Sequence, residues 1–229
     1  MKTTIPNPDI SGGTKFQLGN SWNLYESYQS SSVKTSHNFS NNNNMILEFS
    51  DLETLASVWN NTQYAHPGNM FYDDVNHNVR KFKVNDSDQE ERVIDALLLF
   101  KKNIRPEWED PMNQNGCSFE CTLHSLSPEK IDQIWQNLLT GLISENFPFI
   151  DFITGIRFMD RLKKFGNVKI EIWMTVGLNP ARLSDLDLHK NGLIVDAIVD
   201  YFVDVINRTT ELNKVELTKK EHEIRRKVN

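Results

Sequence analysis

The sequence predicts an α+β fold in which an antiparallel sheet carries helices on one of its faces. Three observations lead there. Strand-like and helix-like patterns alternate irregularly, without the strand–helix–strand rhythm of a parallel sheet. Two strand-like runs, Ile153–Arg161 and Val168–Thr175, flank a turn containing Gly166-Asn167, which marks a hairpin. Three further stretches repeat apolar residues at the spacing of one helical face.

The elements follow in order. Residues 1–18 are rich in Pro, Gly, Ser and Thr and predict a flexible lead-in to one domain over 19–218. Gln29–Asn44 is polar and of low complexity, so it predicts a loop, and Met45–Phe49 a strand. Ser50 and Glu53 have capping-box spacing, and Leu52, Leu55, Ala56 and Trp59 then share a helical face. His66–Glu91 is long, polar and mixed in charge and predicts a surface excursion. Ala96–Phe100 predicts a buried strand, the segment bracketed by Pro106 and Pro111 a loop, and Ser118–Leu123 another strand. Ser127-Pro128 begins a helix with the stripe Ile131, Ile134, Trp135, Leu138 and Leu142. Ser184 and Asp187 open a third helix to about Asn207, Lys214–Leu217 predicts a last strand, and 219–229 reads as a charged tail. Trp22 and Trp135 are expected in the core.

Composition narrows the function. The 229 residues carry 25 Lys+Arg against 31 Asp+Glu, a net charge of -6. A protein that coats long nucleic acid by counterion release is normally basic, so that class is disfavoured, while a local basic pocket for one short polyanion is not. The longest apolar stretch, Gly192–Ile206, is interrupted by Asp196, Asp200 and Asp204, so no membrane span is expected. Met1–Leu18 lacks the apolar centre of a secretory leader, which points to a cytoplasmic chain. Cys117 and Cys121 are too few for a zinc site and are expected as reduced thiols. Neither a metal nor a cofactor is expected, and the chain reads as a monomer.

The most informative segment is Ile104–Gly116, IRPEWEDPMNQNG. It presents Trp108 beside Glu109 and Asp110 in a proline-stiffened loop. An indole stacks on a flat heterocycle, and an adjacent carboxylate accepts hydrogen bonds from its edge. Guanine offers N1–H and its 2-amino group side by side, a bidentate match for one carboxylate. A positive charge on the base adds about 0.5–2 kcal/mol of cation–π attraction per aromatic face. Alternation on the hairpin puts Lys169, Glu171 and Trp173 on one face and gathers Arg157, Met159 and Arg161 likewise. Arg161, Lys163, Lys164 and Lys169 therefore form a cationic strip suited to a short phosphate chain, although lysines in a turn are as readily plain solvated charges.

LLLFKKNIRPEWEDPMNQNG resembles the signature stretch of the eukaryotic translation initiation factor 4E family, which binds the 7-methylguanosine cap of mRNA. Further matches follow in order along the chain: Trp22, Trp59 with WNNTQ, Trp135 with LLTGLISENF, Gly155, Arg161 and VKIEIWMT with Trp173. The resemblance implies a strongly curved sheet of about eight strands, three long helices on its convex face and a cap slot on the concave side. It implies Trp108 as a stacking ring, Glu109 as the carboxylate reading guanine and Trp173 as a contact of the N7-methyl group. Arg161 and Lys169, with Lys163 beside them, are implied as triphosphate ligands. Binding without chemistry, recruiting capped mRNA for translation initiation, is the implied function.

The sequence departs from the family at several points. No Trp lies between Trp22 and Trp59 to serve as the second stacking ring; Phe39 is the candidate, with Tyr28 and His37 as alternatives. Ser118 stands where the family commonly has an Arg near the phosphates. The face on which scaffold or repressor helices of YxxxxLφ type dock resembles Leu55, Trp59 and the start of the Trp135 helix. Two positions there that are usually leucine are Gln136 and Thr140. Those two motivate a second reading, a divergent paralogue that represses or sequesters mRNA. A nucleotide hydrolase using Glu109 and Asp110 is a third, disfavoured because no nucleophile motif or phosphate loop accompanies them.

Overall fold

A computed structural model of the chain describes residues 15–29, 43–71, 81–82, 92–211 and 215–222. These residues build one eight-stranded antiparallel sheet: β1 Gln17–Gln29, β2 Asn43–Asp51, β3 Lys81–Phe82, β4 Arg92–Lys101, β5 Cys117–His124, β6 Ile153–Arg161, β7 Asn167–Met174 and β8 Leu217–Glu221. The strand order is β2-β1-β4-β6-β7-β5-β8, with β3 on β4. Bulges in β1, between Leu24 and Tyr25 and between Ser27 and Tyr28, help bend the sheet. The α+β class and the hairpin agree with expectation.

Three longer helices, α1 Leu52–Asn61, α3 Pro128–Ile143 and α5 Asp185–Thr210, cover one face; α2 Pro67–Phe71 and α4 Leu162–Phe165 are short. The helix starts follow from capping. Ser127 Oγ accepts from Lys130 N at 3.4 Å and Ser184 Oγ from Asp187 N at 3.2 Å, satisfying donors that a helix leaves unpaired. Helix α1 is capped one residue later than the capping-box spacing implies. Asp51 accepts from Thr54 N at 2.8 Å, while Glu53 turns to the Phe16 amide at 3.0 Å.

Beneath the helices Trp22, Leu97, Leu99, Ile134, Trp135, Leu138, Ile156, Ile170 and Phe202 form the main core, so Trp22 and Trp135 are buried as expected. A second cluster, Ala96, Leu98, Phe100, Ile104 and Trp173, lies on the opposite face with Tyr25 and Met159. Strand β4 is thus buried on both sides, and its apolar run Leu97–Phe100 has no polar alternation for that reason.

Three boundaries need correction. The folded part includes residues before 19: Lys15 Nζ reaches Asp51 at 3.2 Å and the Phe16 carbonyl accepts Leu52 N at 2.9 Å, anchoring the start of β1 to α1. The proposed excursion 66–91 begins instead as α2, docked on α3. Gly68 N donates to Asp132 at 2.6 Å, and a Cβ at Gly68 would meet the Pro128 carbonyl oxygen at 2.0 Å. Residues 81–82 pair with β4, and the remainder of that span lies outside the described residues. The last strand is not Lys214–Leu217 but β8, which takes Lys219, Lys220 and Glu221 out of the proposed charged tail. No helix among the described residues is long and apolar enough to cross a membrane.

Candidate functional site

The loop 102–116 between β4 and β5 is braced from within. Asp110, 4% exposed, accepts from Arg105 N and Met112 N, each at 3.0 Å, and Arg105 Nε lies 3.6 Å from it. Asn113 Nδ2 donates to the carbonyls of Arg105 and Glu107 at 2.9 Å. These bonds give the loop a fixed shape without regular structure. Asp110 is therefore spent on the scaffold, which removes half of the acid–base pair that a hydrolase reading needs.

On that brace Trp108 is 42% exposed, and Glu109 beside it is also exposed. The inner side of the Trp108 indole meets two other rings. His222 lies 5.7 Å from it, centroid to centroid, at an interplanar angle of 17°, and Trp173 lies 6.4 Å away at 43°. His222 and Trp173 are themselves 4.6 Å apart, and Phe100 meets Trp173 edge-on at 5.4 Å. Trp173 is only 4% exposed, and its indole N–H donates to Glu171 at 3.2 Å. It forms the floor of the cluster. Phe39 lies outside the described residues.

The hairpin of β6 and β7 extends from this cluster. Gly155 pairs with Trp173, Arg157 with Glu171, Met159 with Lys169 and Arg161 with Asn167, all on the face of Trp173. At about 3.3 Å per residue, Lys169 stands roughly 13 Å along the strand from Trp173 and Arg161 roughly 20 Å. Arg161 is at the hairpin end, its guanidinium 4.3 Å from the Phe165 ring, with Lys164 Nζ 5.0 Å from that ring. Lys163 is on α4, and its side chain is outside the described residues. Lys169 is not a free cation but pairs with Glu120.

Sequence reasoning missed the charges that organise this face. Glu120 on β5 pairs with both Lys169 and Lys220, and Lys220 also reaches Glu171 at 2.9 Å. Burial alone raises the Glu120 carboxyl, but hydrogen bonds from the two lysines outweigh it and hold it at about 2. Lys220, which burial alone would lower, is raised by its two carboxylates. Arg157, Arg161, Lys169 and Lys220 thus share this face with Glu120 and Glu171, and Asp95 acts electrostatically on Arg157. Lys220 and His222 sit in the stretch read as a tail, where only a weak alternation pointed to a strand.

The face expected to take a partner helix is partly committed to the fold. Leu55 is 6% exposed and belongs to the core, while Trp59 is half-buried at its margin. Gln136 Nε2 donates to the Ala65 carbonyl at 3.0 Å, tying α3 to the turn after α1, and Thr140 is exposed. Cys117 and Cys121 are free and buried, their thiols pushed up to about 12 by burial.

A family model for Eukaryotic initiation factor 4E matches residues 17–191. Eukaryotic translation initiation factor 4E1 of Drosophila melanogaster is 42% identical over 81 residues, covering 35% of this chain and 30% of its own. Eukaryotic translation initiation factor 4E-1 of Prunus domestica is 27% identical over 179 residues, or 77% of this chain and 64% of its own. The chain thus spans less than two thirds of the length of these relatives. A solved schistosome eIF4E, complexed with m7GpppG and 4E-BP, superposes with a TM-score of 0.56 at 19% identity over 90% of this chain and 90% of that one.

Proposed function

The chain belongs to the Eukaryotic initiation factor 4E family, and we propose that it binds the 7-methylguanosine cap of mRNA to recruit that mRNA for translation initiation. The observation that carries this reading is the half-exposed Trp108 indole beside an exposed Glu109 on a braced loop. In this reading the methylated, positively charged guanine stacks on the outer face of Trp108, with Phe39 as the second ring. Glu109 accepts from N1–H and the 2-amino group, and Trp173 offers its edge to the N7-methyl. The phosphates run along the hairpin over Lys169 toward Lys163 and Arg161, with the Glu120–Lys169 pair loosening to share its lysine. Lys220, directly across from Ser118, supplies a cation where Ser118 offers none.

The solved schistosome relative holds both m7GpppG and 4E-BP. A protein partner with a YxxxxLφ-type helix is proposed here at Trp59 and Thr140. A second reading, a paralogue that sequesters or represses capped mRNA, is compatible with one observation: Gln136 is drawn onto the Ala65 carbonyl and so offers a partner helix little apolar surface.

Retention on a 7-methyl-GTP matrix tests the function. The protein should be held and be released by free 7-methyl-GTP but not by GTP. Glu109→Ala should weaken retention by about tenfold or more, because a charge-assisted pair contributes roughly 1.5–3 kcal/mol. Passage through the matrix unretained would overturn the proposal.

A further inference from the structure

His222 lies at the centre of the ring cluster yet has no part in the proposed ligand contacts. It is 1% exposed. Three hydrogen bonds tie it to the Trp108 loop: Nδ1–H donates to the Asn113 carbonyl at 3.0 Å, its backbone N–H to Gly116 O at 2.9 Å, and its carbonyl accepts from Asn115 N at 3.3 Å. With Nδ1 donating, the neutral imidazole leaves Nε2 as a bare lone pair, and Nε2 is buried without a hydrogen-bond partner.

We propose, on the basis of the cap-binding reading above, that His222 is a positioning residue of that site: its uncharged ring fixes the angle of Trp108 from behind and keeps the indole electron-rich for a cationic base. The argument is electrostatic. An indole attracts a cation through the negative charge over its ring face. A neutral imidazole stacked behind it leaves that charge available to the ligand. An imidazolium there competes for it and repels a positive purine on the other side.

The surroundings favour the neutral form. Burial lowers the imidazole below its usual range, against an opposing pull from the Asn113 carbonyl and the carboxylates Glu171 and Glu221; Lys220 acts with burial. Arg182 and Glu221 line a cavity of about 330 Å³ that His222 also borders, so a cation and an anion face it from that side. Acidification therefore adds a charge behind Trp108 that the resting site lacks. The site should discriminate against GTP best while His222 is neutral.

The test measures affinity for 7-methyl-GTP and for GTP, from about pH 7 to about pH 5, in the wild type and in His222→Gln. Comparing the two proteins cancels the titration of the ligands and of every other shared group. The inference expects the wild-type preference for 7-methyl-GTP to fall about two- to thirtyfold relative to that of the variant. His222→Phe, which keeps a flat ring and cannot be charged, should follow His222→Gln and serves if the latter fails to fold. Parallel profiles, with selective binding intact, would overturn this inference alone. Failure of the wild type to bind 7-methyl-GTP near pH 7 would overturn the cap-binding reading and this inference with it.

Discussion

Lys220 on β8 reaches Glu171 on β7 at 2.9 Å, spanning the intervening strand β5 and pairing on the way with Glu120. One side chain thus joins three strands on the face that carries Trp173. Lys220→Met removes the cation that Glu120 and Glu171 share, leaving Lys169 on Glu120 and Arg157 across from Glu171. Discounting for the partial exposure of the lysine, the loss should be about 1–2 kcal/mol, read by urea denaturation. An unchanged midpoint would show that the network adds nothing.

The same network predicts an acid limb of stability. The folded state holds Glu120 at about 2, below its ordinary 4.5. The unfolded chain therefore binds the proton first. Stability from this group is complete above the unfolded value and is lost as pH falls through the window down to about 2. Glu120→Gln should flatten that part of the curve of unfolding midpoint against pH. An equally steep fall in the variant would assign the limb to other carboxylates.

Asp160 predicts the opposite sign. Burial, with the charge of Asp95 added, raises it from 3.8 to about 6 despite the hydrogen bond from Leu162 N. The folded state prefers the protonated form, so this group's contribution is full below 3.8 and declines as pH rises through 6. Asp160→Asn, which can still accept from Leu162 N, should be more stable than the wild type near neutral pH and lose that advantage near pH 4. A variant less stable at neutral pH would contradict this assignment.

Asn113 predicts a coupling between fold and site. Asn113→Ala leaves the carbonyls of Arg105 and Glu107 without their donor and should cost about 1–3 kcal/mol. Because Trp108 sits on that loop, ligand affinity should fall too, while the Trp59 side should still bind a YxxxxLφ peptide. Isothermal titration of both ligands separates the two effects. Intact affinity in a destabilised variant would show that Trp108 is held by other contacts.

Much of this was legible in the sequence, for identifiable reasons. Ser127 and Ser184 announced their helices because capping is local, and Gly166, at a φ of 63°, marked the hairpin turn because few other residues adopt that conformation freely. Trp108 stood out because an indole in a polar, proline-bounded loop has no packing reason to be there. Lys220 and His222 were not legible, since their roles depend on β8 pairing with β5 some 100 residues earlier, as the Cys117–Glu221 register shows. The pairing of Lys169 with Glu120 was hidden likewise, because it joins strands that only the sheet order makes neighbours.

The central claim is that an exposed indole grips a cationic purine, and one titration tests it most directly. Tryptophan fluorescence, followed as 7-methyl-GTP and then GTP are added, should show quenching at low 7-methyl-GTP concentration. GTP should need about tenfold more or beyond, since the methyl-borne charge adds roughly 0.5–2 kcal/mol per aromatic face. Trp108→Ala should shrink the difference by about two- to thirtyfold, the share of one aromatic face. Equal affinity for the two nucleotides would contradict the account.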